Sequence, residues 1–345
     1  MNSKKSILLI FLLTFVFLIS WRNIDNAFFV VPKGWPKPSY NFAKNPLSQK
    51  GFELGRQLFY DPVLSKDSTI SCASCHLQYT GFAHTDHALS HGIEGRIGTR
   101  NAMPIMNLAW SKAFHWDGGV ISLETQPINP ITNPLEMDQP LVEVLRKLNQ
   151  SKKYKGLFYN VFGDSVVTTK NVLKAMAQFT VCLETYNSKF DKVMRHEKDV
   201  FFTQQENNGF RLFRQNCITC HSDPLFTNNR FADNGLPLDK DYNDYGRVKI
   251  TLNPKDSFNF KVPTLRNIEF TYPYMHDGRF KKLRDVLNFY TDGIVKRNTL
   301  AKELQNPIRL TDDEKKDVIA FLLTLTDKEF LFNPKFSVPK VITNP

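Results

Sequence analysis

Two five-residue stretches, Cys72-Ala-Ser-Cys75-His76 and Cys217-Ile-Thr-Cys220-His221, hold four of the five cysteines in this chain of 345 residues. The pattern CxxCH is the attachment signature of c-type haem. Its two thiols add across the vinyl groups of the porphyrin, and the histidine that follows is placed to ligate iron from the proximal side. A CxxC pair alone also suits a redox dithiol or half of a zinc site. A zinc site would have to fold one pair onto the other across 145 residues and would leave both histidines without a role. The duplication therefore predicts two covalently bound haem c groups, one on Cys72, Cys75 and His76 and one on Cys217, Cys220 and His221. The fifth cysteine, Cys182, falls in the run Val172, Ala175, Met176, Phe179, Leu183, one apolar helix face, and reads as a buried core thiol.

Working outward, the segment before each motif repeats. Gly51-Phe-Glu-Leu-Gly-Arg-Gln57 and Gly209-Phe-Arg-Leu-Phe-Arg-Gln215 share GFxLxRQ. The repeat predicts a duplicated cytochrome-c module with a helix leading into each haem site. A capping box, Thr203-x-x-Glu206, opens the second of these helices. Another, Thr311-x-x-Glu314, opens a helix carrying Val318, Ile319, Phe321, Leu322 and Leu325, read as the closing helix of the second module. The Pro/Asn-rich stretch from Pro127 to Pro140 reads as too broken for helix, and Asp223 to Pro263 as irregular. No run alternates well enough for a strand. The expected class is mainly α, with two cytochrome-c-like haem domains, residues 45–200 and 201–335, and long irregular loops that wrap the haems. The tail after Phe332 reads as an edge of the fold.

With 41% hydrophobic and 23% charged residues the chain has material for a folded core, and its length suits two domains. Disordered, collagen-like, polytopic membrane and disulfide-scaffold classes are excluded. The formal charge is +11, scattered and without a recognition motif, which argues against nucleic acid. Residues 1–27 read as an export signal: Lys4 and Lys5 precede a run of Leu, Ile, Val and Phe from Ile7 to Ile19. That run is short for a bilayer span. Export to the periplasm is expected, with the segment either cleaved or kept as an anchor at the inner membrane. Haem attachment outside the cytoplasm agrees.

Whether each iron catalyses or only carries electrons depends on its sixth position. The remaining histidines are His84, His87, His91, His115, His196 and His276. The first three follow the first haem motif closely; His84 and His87 read as solvated loop residues, and His91 is open. For the second haem, Leu283, Val286, Leu287 and Tyr290 mark one buried helix face. From periodicity, Tyr290 is a buried tyrosine with a hydrogen-bonded hydroxyl rather than an iron-ligating phenolate.

The chain resembles the bacterial di-haem cytochrome c peroxidases, and more closely their MauG-type branch, from about Asn45 to Asp327. The motifs are Leu54-Gly-Arg-x-Leu-Phe-Tyr-Asp-Pro-x-Leu-Ser65, Arg100-Asn-Ala102, Trp116-Asp-Gly118, Asn133-Pro-x-Glu-Met137, Val262-Pro-Thr-Leu-Arg-Asn267 and Pro273-Tyr-Met-His-Asp-Gly278. The resemblance implies that the N-terminal haem is the peroxide site and the C-terminal haem an electron store. Trp116 then lies between the haems, Glu136 is the distal acid/base, and Gln126 lines the same pocket. Asn101, Thr271 and Pro273 match positions that hold a calcium ion between the domains. Tyr290 falls where ordinary members have a methionine ligand and MauG-type proteins a tyrosine, so the resemblance favours ligation to the second iron and overrides the periodicity. The loop Leu89-Ser-His-Gly-Ile-Glu-Gly-Arg96 looks like the MauG-type loop that supplies no ligand, with His91 slightly out of register. The first haem is thus expected to be five-coordinate. His276 matches a structural residue beside the second haem.

The function implied is a periplasmic peroxidase that reduces H2O2 to water with electrons from a small cytochrome or cupredoxin, steered by the basic surface. The alternative is a MauG-type oxidase that uses peroxide-derived high-valent haem to modify a partner protein. A non-enzymatic electron carrier needs both irons six-coordinate, and Glu136 argues against it.

Overall fold

The computed structural model describes residues 28–340. The leader read over residues 1–27 lies outside them. Among the described residues six helices reach ten residues: α1 (Gln49–Tyr60), α2 (Leu141–Gln150), α3 (Lys152–Phe162), α4 (Thr169–Thr180), α5 (Gln204–Asn216) and α6 (Asp312–Leu323). Among these residues strand is confined to one antiparallel pair, Phe231–Ala232 with Phe260–Lys261. The chain is therefore mainly α with long loops, as the sequence predicts.

Each haem motif is entered by a helix that crosses a later helix. Ser48 caps α1, its side chain accepting from the Gly51 amide, and α1 packs on α4. Thr203 and Glu206 form the expected capping box on α5, Thr311 and Glu314 the one on α6, and those two helices pack together. The GFxLxRQ repeat has a packing cause. A Cβ at Gly51 would collide with the Gln178 side chain, and one at Gly209 with the Asp317 carbonyl. Glycine lets the backbones close, while Leu54 and Leu212, three residues on, both enter the core. Gly209→Ala is expected to destabilise by about 1–3 kcal/mol through overpacking against backbone that cannot yield. Gly156→Ala, in open space on α3, is the control and should stabilise by about 0.5–1 kcal/mol. Urea unfolding of the two variants checks both signs.

One apolar cluster joins α1, α4 and the Met106–Phe114 segment, a second joins α1 to α2 and α3, and a third fills the C-terminal module around Phe213, Phe226 and Phe321. Two expectations are corrected. Residues Ile128–Thr132 form a short helix inside the Pro/Asn-rich stretch, its Pro130 lying in the first turn where a missing N–H costs nothing. The C-terminal tail does not edge the fold. Phe336 is buried against Phe52 and Phe82 of the first module, and Tyr60 and Arg56 donate to the Phe336 and Lys335 carbonyls at 2.7 and 2.8 Å. A second inter-element tie is the fully buried Arg266, which makes a bidentate ion pair with Asp191 at 2.7 and 2.9 Å.

Candidate haem cavities and the bridge between them

The first motif is a one-turn helix, Cys72–Cys75, closed by the His76 amide donating to the Cys72 carbonyl at 2.9 Å. The second repeats this: the His221 amide donates to the Cys217 carbonyl at 2.9 Å. Each histidine is oriented by backbone. His76 Nδ1 lies 2.8 Å from the Phe82 carbonyl, and His221 Nδ1 lies 3.2 Å from the Phe226 and Pro263 carbonyls. Both Phe82 and Phe226 hold positive φ, 57° and 52°, which turns those carbonyls toward the rings. A carbonyl acceptor fixes the proton on Nδ1 and leaves the Nε2 lone pair for iron. Burial pushes both imidazoles down to about 4, so both are neutral donors at neutral pH.

His76 and Cys75 line a cavity of about 840 Å³ shared with His115, Trp116, Gln126 and Glu136. Glu136 accepts from Asn133 Nδ2 at 2.8 Å, and burial raises its pKa. His91 is not part of that lining; its ring stacks on His87 with centroids 4.1 Å apart, and its carbonyl accepts from the Cys75 thiol at 3.5 Å. Cys217, Cys220 and His221 line a second cavity with Met275, His276 and Tyr290. Tyr290 sits in a π turn, Phe289–Gly293, that continues the helix Leu283–Asn288. Such turns re-aim a side chain and occur often at functional sites. Its hydroxyl lies 3.3 Å from Asn234 Nδ2, its hydrogen-bond partner among the described residues, and burial pushes its pKa up to about 12. Cys75 and His76 line the first cavity, with Cys72 one helical turn before His76, and Cys217, Cys220 and His221 line the second; a CxxC turn with a tautomer-fixed histidine at each cavity fits a covalently held haem.

Trp116 lines both cavities. Its indole Nε1 donates to the Asn101 carbonyl at 2.9 Å, and its ring meets His276 edge-on at 6.5 Å. Asn101 ties the modules: its side-chain amide donates to the Pro273 carbonyl at 2.6 Å, and its backbone N–H to the His276 carbonyl at 2.7 Å. Thr271 lines the second cavity nearby. His84 sits against His87, and His276 stacks on Phe260 at 3.7 Å.

The sequence reading missed a second repeat. Asn107-Leu-Ala-Trp-Ser-Lys-Ala-Phe-His-Trp-Asp-Gly-Gly-Val120 aligns without gaps on Asn267-Ile-Glu-Phe-Thr-Tyr-Pro-Tyr-Met-His-Asp-Gly-Arg-Phe280. Its backbone repeats too: φ is 54° and 56° at Asn107 and Asn267, 65° and 75° at His115 and Met275, 71° and 67° at Gly118 and Gly278. Each copy closes with an isolated antiparallel bridge, Phe114 with Val120 and Tyr274 with Phe280. Trp116 and His276 are thus equivalent positions facing each other, and His115 and Met275 are equivalent residues lining the two cavities. His115 Nε2 is buried with no hydrogen-bond partner among the described residues. Sequence reasoning also missed Lys261, a buried cation lining both cavities.

A family model described as di-haem cytochrome c peroxidase matches residues 49–199, and a cytochrome c model matches residues 206–326. The methylamine utilization protein MauG of Methylorubrum extorquens is 35% identical over 305 residues, covering 85% of this chain and 82% of the relative. The cytochrome c551 peroxidase of Nitrosomonas europaea is 35% identical over 291 residues, covering 83% and 82%. Among solved structures, a MauG-like protein associated with microbial copper homeostasis aligns with a TM-score of 0.78 at 29% identity over 90% of this chain and 98% of that one. The di-haem peroxidase BthA of Burkholderia thailandensis shares the fold, with a TM-score of 0.75 at 24% identity over 83% and 88%. The chain belongs to the di-haem cytochrome c peroxidase family and is an oxidoreductase acting on peroxide.

Proposed function

We propose that the chain is a periplasmic di-haem peroxidase, converting H2O2, two electrons and two protons to two waters, with the electrons delivered by a small cytochrome or cupredoxin. One observation carries this reading: a half-buried carboxyl, Glu136, lines the same cavity as the proximal histidine His76, and Trp116 joins that cavity to the other. A haem held by Cys72, Cys75 and His76 would supply the redox-active iron for this chemistry. The protein's own part is proton handling and positioning. Glu136, held toward Asn133, takes a proton from the nearer peroxide oxygen and returns it to the leaving one. Gln126, which lines the same cavity, offers an amide to position the substrate. Trp116, in contact with both cavities, is the electron path between the modules. His91, turned onto His87, supports an open sixth position on the first haem.

The same proposal includes export directed by residues 1–27, and a calcium ion held between the modules by the Asn101 amide oxygen and by oxygens of Thr271 and Pro273. A second reading, oxidation of a partner protein, is favoured by one feature: Tyr290, the second-haem residue that MauG-type relatives share. One test separates them. One equivalent of H2O2 added to the fully oxidised holoprotein gives an immediate Soret change in the MauG-type case. An absence of reaction until one electron is supplied marks a gated, reductively activated peroxidase and overturns the open sixth position proposed for the first haem. Steady oxidation of a reduced small cytochrome by H2O2 is the expected result for the main reading, and its absence overturns it.

A further inference from the structure

Five residues line both cavities: Asn101, Ala102, Pro104, Trp116 and Lys261. Lys261 is the one among them that carries a charge. Its backbone is fixed in the short strand pair, with its amide donating to the Trp116 carbonyl at 2.7 Å. Its ammonium donates to the Ala113 carbonyl at 2.9 Å and to Ser111 Oγ at 3.1 Å, both neutral acceptors.

The other fully buried cations of the described residues, Arg266 and Lys315, lie against acids, as do the partly buried Arg297 and Arg100. Arg266 meets Asp191, Arg297 meets Asp233, and Arg100 meets Asp117 and Asp244. Lys315 has Asn288 Oδ1 at 3.0 Å and Asp312 at 3.9 Å. Lys261 is 7% exposed and makes no ion pair among the described residues. An ammonium taken out of water without an anion is strongly disfavoured, and burial alone pulls its pKa down to about 8. An ammonium has three N–H groups, and two are used here. The site therefore has one free donor and one uncompensated positive charge at the wall between two cavities. A haem c brings carboxylates of its own, its two propionates, into such a cavity.

We propose that Lys261 is the buried counter-cation of a haem propionate at this shared wall, and that its charge biases the haem it faces toward the reduced state. The inference rests on the two-haem reading of the cavities. A cation near iron disfavours the more positive ferric form, so removing it shifts the equilibrium toward ferric. At a separation of about 8 Å and an effective dielectric near 20, one unit charge changes the reduced-to-oxidised ratio roughly 30-fold, and screening makes roughly tenfold the working expectation.

Lys261→Met removes the charge and keeps the stem. Lys261→Gln keeps a neutral donor for Ser111 and Ala113, and serves if the Met variant folds poorly. Both are compared with Lys261→Arg by spectroelectrochemical titration, after a pyridine haemochrome assay has counted haems per chain. With two haems per chain, the ratio at a fixed applied potential should fall roughly tenfold for at least one haem in the Met and Gln variants, and stay near wild type in Arg. Unchanged potentials in the neutral variants, or an equal shift in Arg, make Lys261 a structural tie between strand and loop and overturn the proposal. Fewer than two haems in the wild type overturns the two-haem reading instead.

Discussion

Glu136→Gln is expected to lower peroxide turnover by about 10²–10⁴-fold, the usual contribution of a positioned general acid–base group, while both haems stay attached. The substitution is nearly isosteric, and its amide oxygen still accepts from Asn133 Nδ2, so the loop from Asn133 to Met137 keeps its shape. What is lost is the proton acceptor. The pH profile gives a second readout. Burial raises the Glu136 pKa, so the carboxylate form needed to take a proton is depleted at a higher pH than for an ordinary glutamate. Wild-type activity should fall on the acid side through that raised pKa, and the variant's residual activity should lack this limb. The sign for stability is opposite. A carboxylate ionised in an apolar wall destabilises the native state at neutral pH, so the Gln variant should unfold at equal or higher urea concentration than wild type. A turnover loss below threefold, with the acid limb intact, assigns the proton transfer to another group.

Much of this arrangement was legible in the sequence because its causes are local. A CxxCH motif needs only five residues to state its chemistry, and a capping box only four. The crossing of α5 on α6 was half legible: Gly209 is visible in the GFxLxRQ repeat, but the Asp317 carbonyl it makes room for lies more than a hundred residues away. The Asn107–Val120 repeat was legible in principle. Its identities are few, Asn, Asp and Gly, and its backbone signature of paired positive φ values appears only in three dimensions. Phe336 was misjudged because proline and lysine around it read as solvated, whereas its burial is decided by Phe52 and Phe82. Lys261 had no sequence signal at all. It lies in the stretch from Asp223 to Pro263, which reads as irregular and has no periodicity that would place a side chain inside. Its burial comes from Ser111 and Ala113, which sit some 150 residues earlier in the chain.

The second large effect concerns Tyr290, where the periodicity argument and the family resemblance disagree. If Tyr290 is only a buried tyrosine, its hydroxyl is satisfied by Asn234 at 3.3 Å, and Tyr290→Phe removes one neutral hydrogen bond worth about 1 kcal/mol, with no change in the haem spectrum. If it ligates the second iron, it does so as an anion. Without metal, burial holds the phenol protonated, with its pKa pushed up to about 12, so ligation must release a proton and exchange it for the charge of the iron. That anion stabilises the ferric state. Tyr290→Met replaces it with a neutral thioether and is expected to raise the midpoint potential of the second haem by roughly a few tenths of a volt, a fraction of the ~0.8 V range that axial ligands span. Tyr290→Phe is expected to leave the sixth position without a protein ligand and turn that haem high-spin. The π turn matters to this test, because it keeps position 290 at the cavity whichever side chain stands there. A Met variant with a raised second-haem potential should become easier to activate by reduction and should behave more like an ordinary peroxidase. A potential unchanged in Met, together with an unchanged spectrum in Phe, returns Tyr290 to the role that its helical spacing first suggested.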